Sequence, residues 1–414
     1  MIFFIESMSH SGEGVARNDG KVVFIPYAIQ GEVVEANIRE EKKNYSRGIL
    51  RNIIDKSLYR IEPKCPYYFK CGGCSYQHIA YPQQLKIKQK IVDEILHRIG
   101  GIKTITNNVK NMEDPWHYRN KVLWHINEDL DGKKMGFYHY RTKKLIEVKD
   151  CPILQPRLNV VSSLIRKSLS GISIEENSSV MIRQSSKSKE VVVEFMNCDP
   201  DQKVLSRLSK EVISIYSNKN GKTRLLFGQD FIREEAGKYV FYLGPDDFFQ
   251  INSEQIGLLI NTVSKYLNLS GCKKIIDAYC GVGIFSINIA RKVSWVMGID
   301  SNKKAIGHAK TNATVNKITN CQFIAGLCEK ILPAIQKPFD CIIVDPPRTG
   351  LKKVIIQAIF HILPKEIIYI SCDPGTLARD LKQFAENNYQ VVHVQPIDMF
   401  PQTSHIENVA LLRK

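Results

Sequence analysis

Ile367-Ile368-Tyr369-Ile370-Ser371-Cys372-Asp373-Pro374 is the stretch whose reading decides the fold. Its first half is an apolar, β-branched run of the length of a buried strand. The run breaks at Ser371–Pro374, and Gly375 and Thr376 lead into a helical pattern, Leu377-Ala378-Arg379-Asp380-Leu381. A strand feeding a helix in this way is one step of a parallel α/β sheet. Cys372 then stands at the carboxyl edge, where such sheets bind ligands. A thiol there is placed to act as a nucleophile; a free cysteine also fits the role of a small core residue.

Earlier stretches repeat the strand-to-turn pattern. Lys274-Ile275-Ile276-Asp277 runs into Ala278-Tyr279-Cys280-Gly281-Val282-Gly283, and Ile284 opens a helix. Two glycines after a strand let a ligand approach the backbone closely, and Ser286 takes the place of the third glycine of a dinucleotide fingerprint. The pattern therefore favours a nucleoside ligand. Ser294–Asp300 reads as the next strand, with Asp300 placed to bond ribose hydroxyls. Phe339–Val344 ends at Asp345-Pro346-Pro347-Arg348, a polar turn stripped of backbone donors by its prolines.

The chain of 414 residues is too long for one ordinary core. Residues 1–55 alternate short apolar runs with Gly and Asn-Asp-Gly turns, as a small β-barrel does; Lys21–Pro26 and Glu32–Ile38 are its clearest strands. Lys42, Lys43, Tyr45, Arg47 and Arg51 give it a basic, aromatic edge suited to RNA. Cys65, Cys71 and Cys74 follow closely, and Cys151-Pro152 lies further on. Four thiolates suit either zinc or an iron–sulfur cluster, and spacing alone does not choose. Pro82–Ile99 is expected to be a packing helix, with Lys86, Lys88 and Lys90 on its solvated side. Across the central region, Trp116–Lys121 and Gly136–Lys144 interleave aromatics with cations, a mixture fit for unpaired bases and phosphates.

Lys and Arg number 58 against 42 Asp and Glu, a formal net charge of +16. An excess of that size points to a polyanionic partner, with nucleic acid foremost. No run is long and apolar enough to span a membrane. Met1-Ile2-Phe3-Phe4-Ile5 lacks the basic start and cleavage pattern of a signal peptide, so a cytoplasmic chain is expected, and its eleven cysteines should be reduced thiols used for metal or catalysis.

Taken in order, Phe248-Phe249-Gln250, Asp277 to Gly283, Gly298-Ile299-Asp300, Asp345-Pro346-Pro347-Arg348, Ser371-Cys372-Asp373-Pro374 and Asp398-Met399-Phe400-Pro401-Gln402-Thr403-Ser404-His405-Ile406-Glu407 resemble the motif series of the RNA uracil-5-methyltransferases. Residues 1–55 resemble the TRAM domain, an OB-like barrel. The resemblance implies a multidomain fold: this barrel; a central α+β RNA-binding region, 56–245, with an iron–sulfur site; and a Rossmann-like class I methyltransferase domain, 246–414. It implies S-adenosylmethionine held by Gln250, Tyr279, Asp300 and Asp345, and a [4Fe–4S] cluster on Cys65, Cys71, Cys74 and Cys151. Cys372 would add to uracil C6 and Glu407 would take the C5 proton. A cluster together with a TRAM-like barrel resembles the branch acting on 23S ribosomal RNA; the alternative substrate is transfer RNA. An amino-methyltransferase would need neither Cys372 nor Glu407, and an RNA-binding protein with a vestigial domain would not retain both. The enzyme is expected to act as a monomer. Two departures stand out: Asp300 where the family usually has Glu, and Asp373 where Asn is common, adding a charge beside the thiol.

Overall fold

The strand quoted first, Glu366–Ser371, lies inside a sheet with every side chain buried. This is a computed structural model, and it describes residues 1–103, 106–267, 273–336 and 338–414. Among these, the final sheet has seven strands in the order Cys321–Ala325, Trp295–Asp300, Lys274–Ala278, Cys341–Val344, Glu366–Ser371, Glu407–Arg413, Gln390–Ile397. The first five run parallel, as the continuous apolar runs require. Glu407–Arg413 enters antiparallel between Glu366–Ser371 and Gln390–Ile397. The strand order reverses direction between Lys274–Ala278 and Cys341–Val344, which opens a ligand crevice at their carboxyl ends. Each face of the sheet has its own apolar core, one around Phe241, Ile287 and Ile370, the other around Leu96, Tyr369 and Leu381.

Upstream, a second seven-stranded sheet is built on Lys121–Asp129, Ile172–Gln184 and Val191–Pro200. It encloses a core that includes Trp124, Phe195 and the partly buried Cys74. At the amino end six short strands form a sheet, of which the last is Tyr45–Asp55, around a small core of Phe3, Ile5, Val23 and Ile25.

The helix Tyr81–Gly100 joins these parts. Pro82 sits at its start, where a missing N–H costs nothing, and Gly101 ends it in the left-handed conformation at φ 63°. Its apolar stripe packs as periodicity predicts, but Lys88 is not solvated. Lys88 is 1% exposed, and its Nζ lies 2.6 Å from Asp398 Oδ1, itself fully buried. The stripe is wider than the apolar letters indicate because a buried carboxylate on a distant loop satisfies the ammonium. A second difference concerns Trp116–Lys121: Tyr118 is 1% exposed, with its hydroxyl donating to the Pro401 carbonyl at 3.0 Å. That ring is structural and unavailable for stacking on bases, whereas Tyr140 remains 37% exposed beneath Arg141.

Candidate active site

Register brings the chemistry together. Ser371 pairs with Asn408 across the antiparallel strands, so Cys372 and Glu407 face one another one step beyond the last pair. On the other side Val344 pairs with Tyr369, which carries Asp345 to the same edge. Three residues far apart in sequence thus meet at one sheet edge, two just beyond the carboxyl ends of parallel strands and Glu407 at the amino end of the antiparallel one.

Their electrostatics are strongly coupled. Burial pushes the Cys372 thiol up to about 11; the Glu407 carboxylate adds to the rise, and the Arg348 guanidinium opposes it by charge and by a hydrogen bond. Glu407 is 4% exposed. Burial, then the charge of Asp345, hold its carboxyl well above the usual carboxylate range, with Arg348 again opposing. Burial and Asp277 push Asp345 up to about 7. Burial and neighbouring negative charge thus make both carboxyls harder to ionise than ordinary ones. Arg348 was legible only as a member of its motif. Its place beside both Cys372 and Glu407 needed the fold.

Asp373 also has a structural task. Its Oδ1 accepts the Thr376 N–H at 2.8 Å and caps the helix Pro374–Ala385. Its charge acts on His405, while the negative charges that raise the thiol most are Glu407 and Asp345.

A pocket of about 300 Å³ opens on Cys372, with Arg348, His405, Ser75 and Lys88 in its walls. Burial, then the charges of Arg348 and Lys88, push His405 down to about 4, so its ring is neutral at physiological pH. The loop carrying His405 is held from every side. The Gln402 N–H donates to Gln84 Oε1 at 3.2 Å, and the Gln402 carbonyl accepts the N–H groups of Ser75 and Tyr76. Ser404 N donates to Ser75 Oγ at 2.8 Å, Lys88 Nζ to the Phe400 carbonyl at 3.1 Å, and Tyr81 to Asp398 at 2.9 Å. Asn252 donates to the Met399 carbonyl at 3.1 Å. Pieces from three parts of the chain therefore fix the approach to Glu407.

The glycine turn lies beyond the neighbouring strand. Gly281 and Gly283 have φ of 53° and 86°, and Tyr279 takes a left-handed φ of 66° that a side chain adopts only when its surroundings impose it. Asp300 Oδ2 accepts from Gly281 N at 2.9 Å and Oδ1 from Asn302 N at 2.8 Å, so its carboxylate pins the turn. Asp277 is fully buried; Ser286 donates twice to Oδ2, while Oδ1 has no partner. Burial pushes this carboxyl up to about 7. A buried oxygen without a donor beside a glycine turn suits the ammonium group of an amino-acid-bearing nucleoside. Gln250 is 6% exposed on a loop tied to the central sheet by Asn120 Nδ2 at 3.2 Å.

Cys65, Cys71, Cys74 and Cys151 line one cavity of about 420 Å³. Gly73 N donates to Cys71 Sγ at 3.4 Å, and the strand-like contact of Cys71 with His139 closes one side. A side chain at Gly72 would meet backbone atoms of Tyr138 and Tyr140 at 3.1 Å, a tight fit that favours glycine where the loop docks. Among the described residues, no group of three His, Cys, Asp or Glu is close enough to hold a single metal ion.

Residues 80–414 match the family described as tRNA (uracil-5-)-methyltransferase, and residues 4–50 match the TRAM domain. The chain is similar to an uncharacterised RNA methyltransferase of Halalkalibacterium halodurans, 36% identical over 99% of this chain and 95% of that protein. A second, from Caldanaerobacter subterraneus, is also 36% identical, over 99% of this chain and 97% of its own length. Among solved structures it is similar to the Pyrococcus abyssi tRNA (uracil-54, C5)-methyltransferase in complex with S-adenosyl-L-homocysteine. That likeness has a TM-score of 0.81 at 27% identity, covering 100% of this chain and 99% of the other.

Proposed function

The chain belongs to the tRNA (uracil-5-)-methyltransferase family and is an RNA methyltransferase that uses S-adenosylmethionine; from that premise we propose that it methylates C5 of a specific uridine in 23S ribosomal RNA through a covalent Cys372 adduct. The observation that carries the chemistry is the register, which sets Cys372, Glu407 and Asp345 side by side at one sheet edge.

Uracil C5 is a weak nucleophile. The Cys372 thiolate adds to C6, and the electron pair moves to C5 as an enolate. S-adenosylmethionine would be held by Gln250, Tyr279, Asp300 and Asp345, with Asp277 available to its ammonium, and would supply the methyl group to C5, leaving as S-adenosylhomocysteine. Glu407 then takes the C5 proton, and the freed electron pair expels Cys372. Arg348 stabilises the thiolate at the start and the returning thiolate at the end. The uridine must leave its stack to enter the Cys372 pocket, where polar walls can read its edge.

Cys65, Cys71, Cys74 and Cys151 are proposed to hold a [4Fe–4S] cluster. Their shared cavity is supportive, since a cluster sets iron and sulfide between thiolates that need not touch a common ion. The cluster would clamp the 65–74 loop to Cys151, and no electron transfer enters the reaction. Three units are proposed, 1–55, 56–245 and 246–414, in a cytoplasmic monomer.

The ribosomal reading is supported by the cysteine set beside a TRAM domain. A transfer RNA substrate is the second reading, favoured by the fold likeness to a tRNA (uracil-54, C5)-methyltransferase. Labelled methyl transfer to 23S ribosomal RNA and transfer RNA transcripts, followed by nucleoside mapping, tests both. Product other than 5-methyluridine would remove the C5 mechanism, and methylation of transfer RNA alone would replace the substrate.

A further inference from the structure

The loop that leads to Gln250 runs between two charged walls. On one side stands the central sheet, where Arg183 pairs across strands with Lys121. Arg183 is 3% exposed, and its guanidinium donates to the carbonyls of Gly244 and Asp247. On the other side stands the helix Lys303–Val315. Lys304 Nζ lies 3.1 Å from Asp246 Oδ2, and His308 Nδ1 lies 2.6 Å from Asp247 Oδ2. Asp247 itself is 1% exposed, and its Oδ2 also accepts the Gly244 N–H at 2.7 Å, which closes the turn. The packing is tight: a side chain at Gly244 would meet His308 Cε1 at 2.9 Å. The His308 Nδ1 contact lies off the line of a straight hydrogen bond, so attraction between charges holds it.

These contacts close a mechanical circuit. Asp300 Oδ1 accepts from Asn302 N at 2.8 Å, and the Asn302 side chain caps the helix by accepting from Lys304 N and Ala305 N. The helix is therefore tied at its start to Asp300. Further along it presents His308 to Asp247, and the loop runs on from Asp247 to Gln250. Asn120 holds that end, with Nδ2 donating to the Gln250 carbonyl at 3.2 Å and its backbone N–H to the Ile251 carbonyl at 2.9 Å. Resting on the reading of Gln250 and Asp300 as cofactor contacts, we propose that Asp247 and His308 are positioning residues for S-adenosylmethionine: their contact fixes the separation of the two segments that grip the cofactor. They act through Gln250 and Asp300 and take no part in the methyl transfer.

The contact depends on a proton. The Asp247 carboxylate keeps the His308 ring protonated to higher pH than an ordinary histidine, with Asp230 adding to the rise and burial and Lys304 opposing it. Arg183, Lys121, Glu194 and Glu234 face the same cluster from the sheet and its neighbouring strand, and Asp246 faces it from the loop. A histidine whose proton is held by its partner keeps the contact at low pH and loses it as pH rises through the raised value. Cofactor affinity therefore falls towards alkaline pH. Lys121, pushed down to about 8 by burial and then by Arg183, titrates in the same range, so the test separates the two.

The test measures S-adenosylhomocysteine binding to the full chain by calorimetry from about pH 6 to about pH 9. Wild-type affinity should fall by about fivefold or more across that range, the scale of one charge-assisted contact to a carboxylate. His308→Gln should bind at the acid end about as weakly as the wild type does at the alkaline end, with a flat profile. His308→Lys, charged throughout, should keep its affinity to the alkaline end. In methyl transfer, His308→Gln should raise KM for S-adenosylmethionine by the same factor, with kcat and KM for RNA changed by less than about twofold. A merely structural pair would lower the unfolding midpoint of His308→Gln and leave its binding profile parallel to that of the wild type; that outcome, or wild-type affinity in His308→Gln, overturns the inference. An alkaline fall that survives in His308→Gln and disappears in Lys121→Met belongs to Lys121 and overturns it too. S-adenosylhomocysteine binds without RNA, so an error in the RNA substrate leaves these results unaffected, whereas Gln250→Ala with wild-type affinity would overturn the cofactor contact through which the pair acts.

Discussion

Glu407→Gln should convert the enzyme from one that turns over into one that stops with RNA attached. The substitution keeps the shape of a buried side chain that is 4% exposed, so the loop and strand around it should be undisturbed. Two effects follow, and they have opposite consequences for the two halves of the reaction. Glu407 is the first charge that raises the Cys372 thiol towards about 11. Removing it lets the thiol ionise at lower pH, so addition to C6 is maintained or improved. Glutamine cannot accept the C5 proton, however, and loss of a general base costs about two to four powers of ten in rate, or roughly 3–5 kcal/mol on the elimination barrier. Methylated adduct should therefore accumulate to nearly one per enzyme while product formation falls by about a hundredfold or more. Labelled methyl groups on a denaturing gel would show a protein band shifted by RNA, absent from a Cys372→Ala, Glu407→Gln double variant. A Glu407→Gln enzyme that turns over at the native rate without adduct would show that another group takes the proton, and the assignment of Glu407 would fall.

Four further outcomes are expected. Cys372→Ala should abolish methylation while S-adenosylmethionine still binds by calorimetry, because Cys372 is the thiol paired with Arg348 and Glu407 at the sheet edge; activity near the native level would end the covalent mechanism. Since the thiol sits near 11 and only the thiolate attacks, single-turnover adduct formation should rise by about tenfold per pH unit from neutral pH towards 10; Arg348→Gln should lower it about tenfold or more at pH 8, and an unchanged profile would remove Arg348 from thiol activation. Lys88→Met leaves Asp398 buried without its partner and should cost about 3–5 kcal/mol in denaturant unfolding, whereas adding Asp398→Leu should recover much of it; equal losses for the single and double variants would argue against a coupled pair. Protein purified without oxygen should contain iron and acid-labile sulfide, lost on Cys74→Ser; stoichiometric zinc with no iron would replace the cluster assignment.

Much of this was legible along the chain because strand-to-turn chemistry is local. An apolar run followed by Ser371-Cys372-Asp373-Pro374 fixes a strand, an edge and a capped helix within a dozen residues. The glycine turn at Gly281 and Gly283 is likewise set by backbone sterics that any reader of the sequence can apply. Lys88, by contrast, looks like its solvated neighbours Lys86 and Lys90, since nothing within its own helix reveals a carboxylate more than three hundred positions away. Tyr118 looked like a base-stacking ring for the same reason, because its burial depends on the Pro401 carbonyl. Asp373 has a second task that was not read from the sequence: the carboxylate beside the thiol also caps a helix.

The sequence by itself determined which residue types stand at each strand end, and therefore the class of fold and the candidate nucleophile and cofactor turn, while the candidate base came from the resemblance of the Asp398–Glu407 ending to a family motif. Only the tertiary structure decided which of them meet. Antiparallel insertion of Glu407–Arg413 beside Glu366–Ser371 puts Glu407 next to Cys372, and docking of the helix Tyr81–Gly100 and the Cys65–Cys74 loop fixes the segment between Asp398 and Glu407. Charges act over a few ångströms in space and carry no signature in sequence separation. The rise of the Cys372 thiol, the raised carboxyls of Asp345 and Glu407, and the opposing role of Arg348 therefore exist only once the chain is folded.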